Sequence, residues 1–568
     1  MKAITRQFQR VDTKKKFGPI LLEREDWPVV QMARNRKNFI EQVKKESLER
    51  ILKLRPTVNA LIEELEVTRY RERLRYKTNP WKVDPDDEMI FWEGVKNRLV
   101  EINQSDRDLQ REQVEAILLQ IIDRYANEIS GNFKPSHYRL ARAVVTFGFA
   151  RLLNATRIKR FGSFWSKEYT LQDKIQITGE TELLRKLAKI GTIVMVPTHF
   201  SNLDSILIGW VIHTLGLPPF IYGAGLNLFN IEIFAYFMNS LGAYKVDRRK
   251  KNLVYLETLK TYSSLAIRNG CHSLFFPGGT RSRSGKIESQ LKLGLLSTSV
   301  EAQRINYQEH AEGRRSKIFI VPVTLNYHFV LEAPTLIRDY LQRKGQERYY
   351  LESDRYSNSM RILKFLLKFF TKGSSISVSI GRGLDLFGNY VDEEGQSLDS
   401  FGNYINTREY FMFQGKITSD QQREEEYTRM LSNVIVREFH RINRVYGSHL
   451  VAYTAFQLLR KRYRKMDLYS MLRIPAEEIE LDYIEFREAF NRLRNRIIEL
   501  FNEGKLDMDE HLADDIDSVI EAGVDNVGMY HSKRPLLRSK NGNIVSQDML
   551  SLYYYHNRLD GYELEAYV

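Results

Sequence analysis

The chain has 568 residues, 43% of them apolar, and a formal net charge of +14. This composition excludes a disordered chain, leaves room for two or three domains, and calls for an anionic partner. A single cysteine, Cys271, excludes an internal disulfide and fits a reducing compartment, and with scattered histidines it leaves no set of metal ligands.

The anionic partner is read as a membrane surface. Nucleic acid is set aside because no zinc-finger spacing occurs and the Lys and Arg are spread among helical segments, not gathered into one tail. The first ten residues, Met1–Arg10, carry charges with no apolar stretch behind them, unlike a secretory signal. Residues 26–165 read as helical, with apolar positions three and four apart in Phe39–Leu52 and Val114–Ile129, interrupted by a loop at Asn79–Asp87. Tyr138–Arg160 mixes apolar and basic residues and suits either a membrane surface or a core-facing helix. The first region is taken as 1–165.

The second region, 166–400, alternates strand and helix signals, which predicts an α/β fold: a central mixed sheet flanked by helices, with helical N-terminal and C-terminal regions. The expected strands are Thr192–Val196, Phe220–Gly223, Ser273–Phe276, Ile318–Leu325 and Ile376–Ile380; helices are expected at Ser205–Leu217, Leu253–Arg268 and Leu291–Ala302. Pro322 interrupts its strand and predicts an edge position or a local irregularity. The longest uncharged stretch, Ser205–Ile231, is broken by Pro218, Pro219 and four glycines, so no spanning helix is expected. Met360–Lys372 sets Arg361, Lys364, Lys368 and Lys372 in one basic stripe beside aromatic and aliphatic bulk, a pattern suited either to anionic lipid or to a helix docked on the sheet with its basic edge in water. The third region, 401–568, reads as mostly helical, with no catalytic constellation.

Three segments of the second region carry chemistry. His199 follows the first strong strand, and Asp204 lies five residues on. A histidine takes a proton from a hydroxyl, and a carboxylate fixes its tautomer and steadies the imidazolium. Leu241–Lys250 brings Lys245, Arg248 and Arg249 after a short apolar segment. Phe275–Lys286 opens an apolar lead-in into Gly278, Gly279, Thr280, Arg281, Ser282, Arg283 and Ser284. Glycines admit backbone N–H groups to an anion, and arginines bind phosphate oxygens in pairs. It departs from a P-loop, since Gly279 to Gly285 is one residue too long and Ile287 stands where Ser or Thr would hold magnesium. Cys271 reads as a buried structural residue.

The order of these pieces, closed by Ile320-Val321-Pro322-Val323, resembles the four blocks of the glycerolipid acyltransferase family over roughly residues 190–335. Chain length, Ala224–Leu228 and Tyr553–Leu559 are more similar to the long glycerol-3-phosphate acyltransferases than to the short lysophosphatidate enzymes. The resemblance implies transfer of an acyl group from acyl-CoA or acyl carrier protein to the sn-1 hydroxyl of glycerol 3-phosphate, with no cofactor, by a peripheral protein on the cytoplasmic face of a membrane. It implies His199 as base, Asp204 as its orienting group, and Arg281 and Arg283 as phosphate ligands in the Gly279–Arg283 loop. Lys245, Arg248 and Arg249 stand as further ligands, and apolar residues of Ser205–Met238 as the acyl groove. One position departs: the family's third block usually carries Glu where this chain has Gly278, so that role is absent or supplied from elsewhere. Other readings stay open: lysophosphatidate or dihydroxyacetone phosphate as acceptor, a thioester hydrolase, or an inactive membrane-surface protein.

Overall fold

The structure, a computed structural model, describes residues 17–81, 84–102, 107–138, 175–225, 242–309, 316–343 and 376–568. Met360–Lys372, Tyr138–Arg160 beyond its first residue, and the 226–238 part of the expected acyl groove lie outside the described residues.

Five long or short helices open the chain: α1 (Pro28–Arg34), α2 (Arg36–Leu54), α3 (Val58–Thr78), α4 (Glu88–Ile102) and α5 (Arg107–Ile129). The four-residue spacing of buried Phe39, Val43, Ser47 and Ile51 makes one stripe along α2. Val114, Ile117, Leu118, Ile121, Ile122 and Tyr125 do the same along α5. The two helical stretches expected from periodicity thus lie within α2 and α5.

The second region forms strands β1 (Ile175–Gly179), β2 (Thr192–Pro197), β3 (Ile221–Gly225), β4 (Ala243–Val246), β5 (Ser273–Leu274), β6 (Ile318–Tyr327) and β7 (Ile376–Ile380). Between them run α6 (Thr181–Ile190), α7 (Asp204–Thr214), α8 (Leu253–Arg268), α9 (Leu293–Gln308) and α10 (Ala333–Arg343). The strands build one seven-stranded sheet in the order β1-β7-β6-β2-β5-β3-β4. All neighbours are parallel except β6 and β7, so the sheet is mixed, as expected. The third region adds α11 (Gln421–Arg441), α12 (Gly447–Arg462), α13 (Tyr483–Asn502), α14 (Ile516–Asn526) and α15 (Met549–His556).

Three expectations need correction. β1 and β4 are strands that the pattern of apolar runs passed over, because Gln176 and Thr178 interrupt the first and Lys245 the second. The strand expected at Ser273–Phe276 ends at Leu274. Pro322 sits on the third strand of seven, not on an edge. Its carbonyl still accepts from Gly381 N–H at 2.8 Å, and Leu384 N–H reaches Ile320 O at 2.8 Å. The nitrogen that cannot donate therefore lies where β7 has ended and the chain bows out between Ile380 and Leu384, so the local irregularity absorbs the proline.

Two apolar cores hold these layers. One joins the N-terminal helices to α8 and to Ile221 and Tyr244 of the β3–β4 edge. The other runs continuously from the sheet into the C-terminal helices, taking in Val194, Ile320, Ile435, Phe456, Phe490 and Leu552. The C-terminal helices are thus packed onto the sheet by shared burial, the main driving term for such contacts.

Topology places the site. β6, β2, β5, β3 and β4 run in one direction, so their carboxyl ends share one edge of the sheet. That edge is where open α/β sheets bind ligands, since the loops leaving the strands converge there. His199 follows β2, Phe275–Lys286 follows β5, and Arg248 follows β4.

Candidate active site

All six residues of β2 are buried, and the strand ends at Pro197. Thr198 keeps the departing chain on β6: its N–H donates to Val323 O at 3.0 Å, and its Oγ1 accepts from Leu325 N–H at 3.1 Å. His199 comes next, and its Nδ1 stands 2.8 Å from Oδ2 of Asp204. Asp204 is the first residue of α7 and is fully buried, where the positive end of the helix favours a carboxylate. Oδ2 also accepts from Phe200 N–H at 2.7 Å and Ser201 N–H at 3.0 Å, and Oδ1 accepts from the Tyr327 hydroxyl. Four donors fix the orientation of this carboxylate. Facing an acceptor-only group, His199 carries its proton on Nδ1 and keeps Nε2 free to accept one. The ring stacks on Phe276 at 4.1 Å between centroids, and the side chain is 17% exposed, so the imidazole is held but reachable.

The Gly/Arg loop closes directly on this turn. Ser282 N–H donates to His199 O at 2.7 Å, and Ser282 Oγ donates to Lys286 O at 2.7 Å. Gly279 turns the chain at φ +76°, with its N–H on Phe276 O at 3.0 Å. Arg283 Nη1 donates to Thr280 Oγ1 at 3.4 Å and its Nε pairs with Asp339. Arg281 pairs with the buried Glu332 at 3.2 Å. Both arginines stay partly open, at 18% and 29% exposure, and both are held by carboxylates from the segment after β6. Glu332 also accepts from Ser201 Oγ at 3.2 Å and Asn202 N–H at 3.0 Å. It therefore joins the His199 turn to Arg281.

The basic run after β4 divides. Lys245 is half-buried on the edge strand itself, in register with Ala224. Arg248 is brought toward the Gly/Arg loop: burial, and then the like charge of Arg283, hold its guanidinium below the usual range. Arg249 is taken out of the group. Its guanidinium pairs with Asp247 at 2.8 Å and with Asp84, donates to Asn79 O at 2.9 Å, and lies 4.0 Å over the Trp81 ring.

Several residues of the site were not singled out as site residues in the sequence. Glu288 Oε1 accepts from His199 N–H at 3.3 Å. Arg558, almost fully buried, donates to Leu325 O at 2.9 Å and to Asn326 Oδ1, and lies 4.0 Å over the Phe200 ring. Burial lowers this guanidinium to about 10. Around it the chain end braces the Gly/Arg loop: Asn557 Nδ2 donates to Ser284 O at 2.8 Å and Lys286 pairs with Asp560 at 2.6 Å. Gly285 is required there, because a Cβ would stand 2.2 Å from Tyr554 O. The segment Tyr553–Leu559 noted in the sequence is therefore part of the wall behind the site. Among the described residues, no group of three His, Cys, Asp or Glu side chains is placed to hold a metal. Cys271 is buried, with its sulfur 3.9 Å from Met32 Sδ.

The family model described as Acyltransferase matches residues 174–326, from β1 through nearly all of β6. The chain carries an acyltransferase domain over these residues. Its acyltransferase domain holds His199, Asp204 and the Gly/Arg loop, while Glu332 and Arg558 lie beyond the matched stretch. Among curated relatives, the glycerol-3-phosphate acyltransferase of Aeromonas hydrophila subsp. hydrophila is 28% identical over 271 residues, covering 47% of this chain and 29% of that protein. That of Haemophilus influenzae is 33% identical over 177 residues, covering 31% and 20%, and that of Pseudomonas aeruginosa is 27% identical over 244 residues, covering 43% and 25%. The match spans less than a third of the length of these relatives. A solved 1-acyl-sn-glycerophosphate acyltransferase from Thermotoga maritima aligns with 67% of this chain and 98% of its own at 14% identity, with a TM-score of 0.25.

Proposed function

We propose that this chain is an O-acyltransferase that moves a fatty acyl group from acyl-CoA or acyl carrier protein to the sn-1 hydroxyl of glycerol 3-phosphate, forming lysophosphatidate. The observation that carries this reading is the 2.8 Å contact of His199 Nδ1 with the buried Asp204, locked by the Ser282–His199 backbone hydrogen bond to a loop bearing two half-open arginines. A base and an anion clamp on one strand edge suit a hydroxyl nucleophile that carries a phosphate.

In this mechanism Arg281 and Arg283, with Arg248 and Lys245 beside them, bind the acceptor phosphate, which competes with Glu332 and Asp339 for the two loop arginines. Thr280 and Ser282 line the same loop. His199 Nε2 takes the proton of the sn-1 hydroxyl as its oxygen attacks the thioester carbonyl. Asp204 holds the imidazolium that forms. The tetrahedral intermediate collapses, the C–S bond breaks, and the departing thiolate can take back the proton from His199. The substrate supplies the nucleophile, so no acyl-enzyme is required. The unit that does this is read as residues 166–400, braced by 1–165 and 401–568. The net charge of +14 supports docking on the anionic cytoplasmic face of a membrane, and among the described residues no helix is long and apolar enough to cross one.

The test is acyl transfer from labelled acyl-CoA and acyl carrier protein to glycerol 3-phosphate on vesicles with and without anionic lipid. Wild type should form lysophosphatidate, more on anionic vesicles, and His199→Ala should lose about 10²–10⁴-fold with its fold intact. Equal activity of the two proteins would refute His199 as the base, and indifference to vesicle charge would refute the anionic surface.

A further inference from the structure

Gly278 sits in the loop with a backbone that any residue adopts, since its φ is not positive. The space in front of it is nevertheless filled. A Cβ built there would stand 2.9 Å from both Cγ and Oε1 of Glu288 and 3.3 Å from Cδ. Glu288 reaches that space from ten residues further along the chain. Its carboxylate thus stands where a side chain at position 278 would point.

The two oxygens of this carboxylate are used unequally. Oε1 accepts the backbone N–H of His199 at 3.3 Å, so the group lies directly against the catalytic turn. Oε2 is shielded from solvent and no donor among the described residues reaches it. A buried carboxylate oxygen without a donor costs stability and is rare in native proteins. In the ionised form such an oxygen can only accept, so the ligand that completes it must bring an N–H or O–H. Glycerol 3-phosphate brings two hydroxyls. One reacts at His199 in the mechanism above; the other is still a donor when the first is placed at the base.

We propose that Glu288 is the acceptor-site carboxylate of this enzyme: Oε1 holds the His199 turn while Oε2 accepts a hydrogen bond from the hydroxyl of glycerol 3-phosphate that does not react. This rests on the acyl-transfer reading and refines it to acceptors with a second hydroxyl. Burial also pushes the Glu288 carboxyl up to about 7, against the pull of its own and the His199 backbone N–H groups and of Arg558, with Asp204 adding to the rise. A hydroxyl donor on Oε2 is the kind of partner that would favour its charged form. Glycine at position 278 follows as the condition for this arrangement, since any side chain there would displace the carboxylate.

The test compares glycerol 3-phosphate with 3-hydroxypropyl phosphate, which lacks the second hydroxyl. Wild type should prefer glycerol 3-phosphate. Glu288→Ala should lose about ten- to a hundredfold in kcat/KM on glycerol 3-phosphate, little on the deoxy acceptor, and nothing in the acyl-donor KM. Glu288→Gln keeps the shape and the bond to His199 N–H, and should show the same loss of preference if the alanine variant folds poorly. Gly278→Glu alone should be impaired by collision with Glu288. Gly278→Glu combined with Glu288→Ala should return to within about threefold of wild type, because the carboxylate is restored to the same space. Equal losses on the two acceptors, unchanged acceptor preference in Glu288→Gln, or a double variant no better than the worse single one would overturn the inference while leaving the acyl-transfer reading standing. Wild type inactive on both acceptors would instead remove that reading, and this one with it.

Discussion

Two of the places where this chain buries charge treat it differently. Where the N-terminal helices meet the loop after β4, opposite charges answer one another. Arg75 pairs with Glu72 at 2.7 Å, with Asp84 at 2.9 Å and with Glu88; Arg124 pairs with Glu88 at 2.9 Å; Lys250 pairs with Glu128 at 2.5 Å. Burial works against the charge of Arg75 and Arg249, yet their carboxylates outweigh it and hold both above the usual guanidinium range. At the cleft the balance reverses. Burial drives Glu288 toward its neutral form and lowers Arg248 and Arg558. The layer that holds the helices together answers its buried charges from within the chain, although burial still raises the Glu128 carboxyl beside Lys250. A site that has to receive an anion and a hydroxyl must leave capacity unfilled, and it does so at a cost in stability.

The largest effect that would break this comparison concerns Arg249, whose side chain is 8% exposed. Removing one partner of a buried ion pair leaves the other uncompensated. Arg249→Ala should therefore cost about 3–5 kcal/mol in urea unfolding and leave the acceptor KM of the folded fraction unchanged. A tenfold rise in that KM without loss of stability would move Arg249 back into the cleft, beside Arg248.

Glu288 gives the next effect, and its sign follows from linkage. The unfolded carboxyl releases its proton near 4.5 and the folded one near 7. The folded state thus binds more protons across that window, so this group's contribution to stability falls as pH rises from about 4.5 to 7 and is level above. Glu288→Gln removes the titration. Its stability relative to wild type should rise by about 2–3 kcal/mol between pH 5 and pH 8, read from urea midpoints at each pH. A pH-independent difference would mean that the carboxylate is satisfied in the folded chain and that the cleft is built like the N-terminal layer.

What was legible in the sequence follows the range of the contacts. His199 and Asp204 lie on one tight turn after a β-branched run, so their spacing, together with the segments that follow in order, brought them into view. The Gly279–Arg283 loop is contiguous and could be read as a unit. The strands β2 and β6 announced themselves as apolar runs, and β5 did so with two residues too many, whereas β1 and β4 carry polar residues that break the run. The partners that decide each charge's role come from far along the chain. Tyr327 reaches Asp204 across 123 residues, Arg558 reaches Leu325 across 233, and Arg249 reaches Asp84 across 165. Nothing local separates Arg248 from Arg249; only the fold sends one toward the loop and the other under Trp81. Glu288 had one usable signal, a glycine where the family resemblance leads one to expect an acid, with an acid ten residues on.

Arg281 is the intermediate case, and the smallest effect of the three tests it. Its guanidinium is paired with Glu332 at 3.2 Å, as a structural arginine would be, yet it keeps 18% exposure beside the His199 turn. If it belongs to the cleft, the acceptor phosphate exchanges with Glu332 for its N–H groups. A charge-assisted hydrogen bond of that kind contributes about 1.5–3 kcal/mol, or ten- to a hundredfold in binding. Arg281→Ala should then raise the acceptor KM by that factor, leave the acyl-donor KM within about twofold, and shift the urea midpoint only slightly. Glu332 would keep its bonds from Ser201 and Asn202 and would not be left bare. If instead the two KM values rise together while stability falls by as much as for Arg249→Ala, Arg281 is a strut between the β2 turn and the segment after β6, and the anion clamp must lie with Arg283 and Arg248.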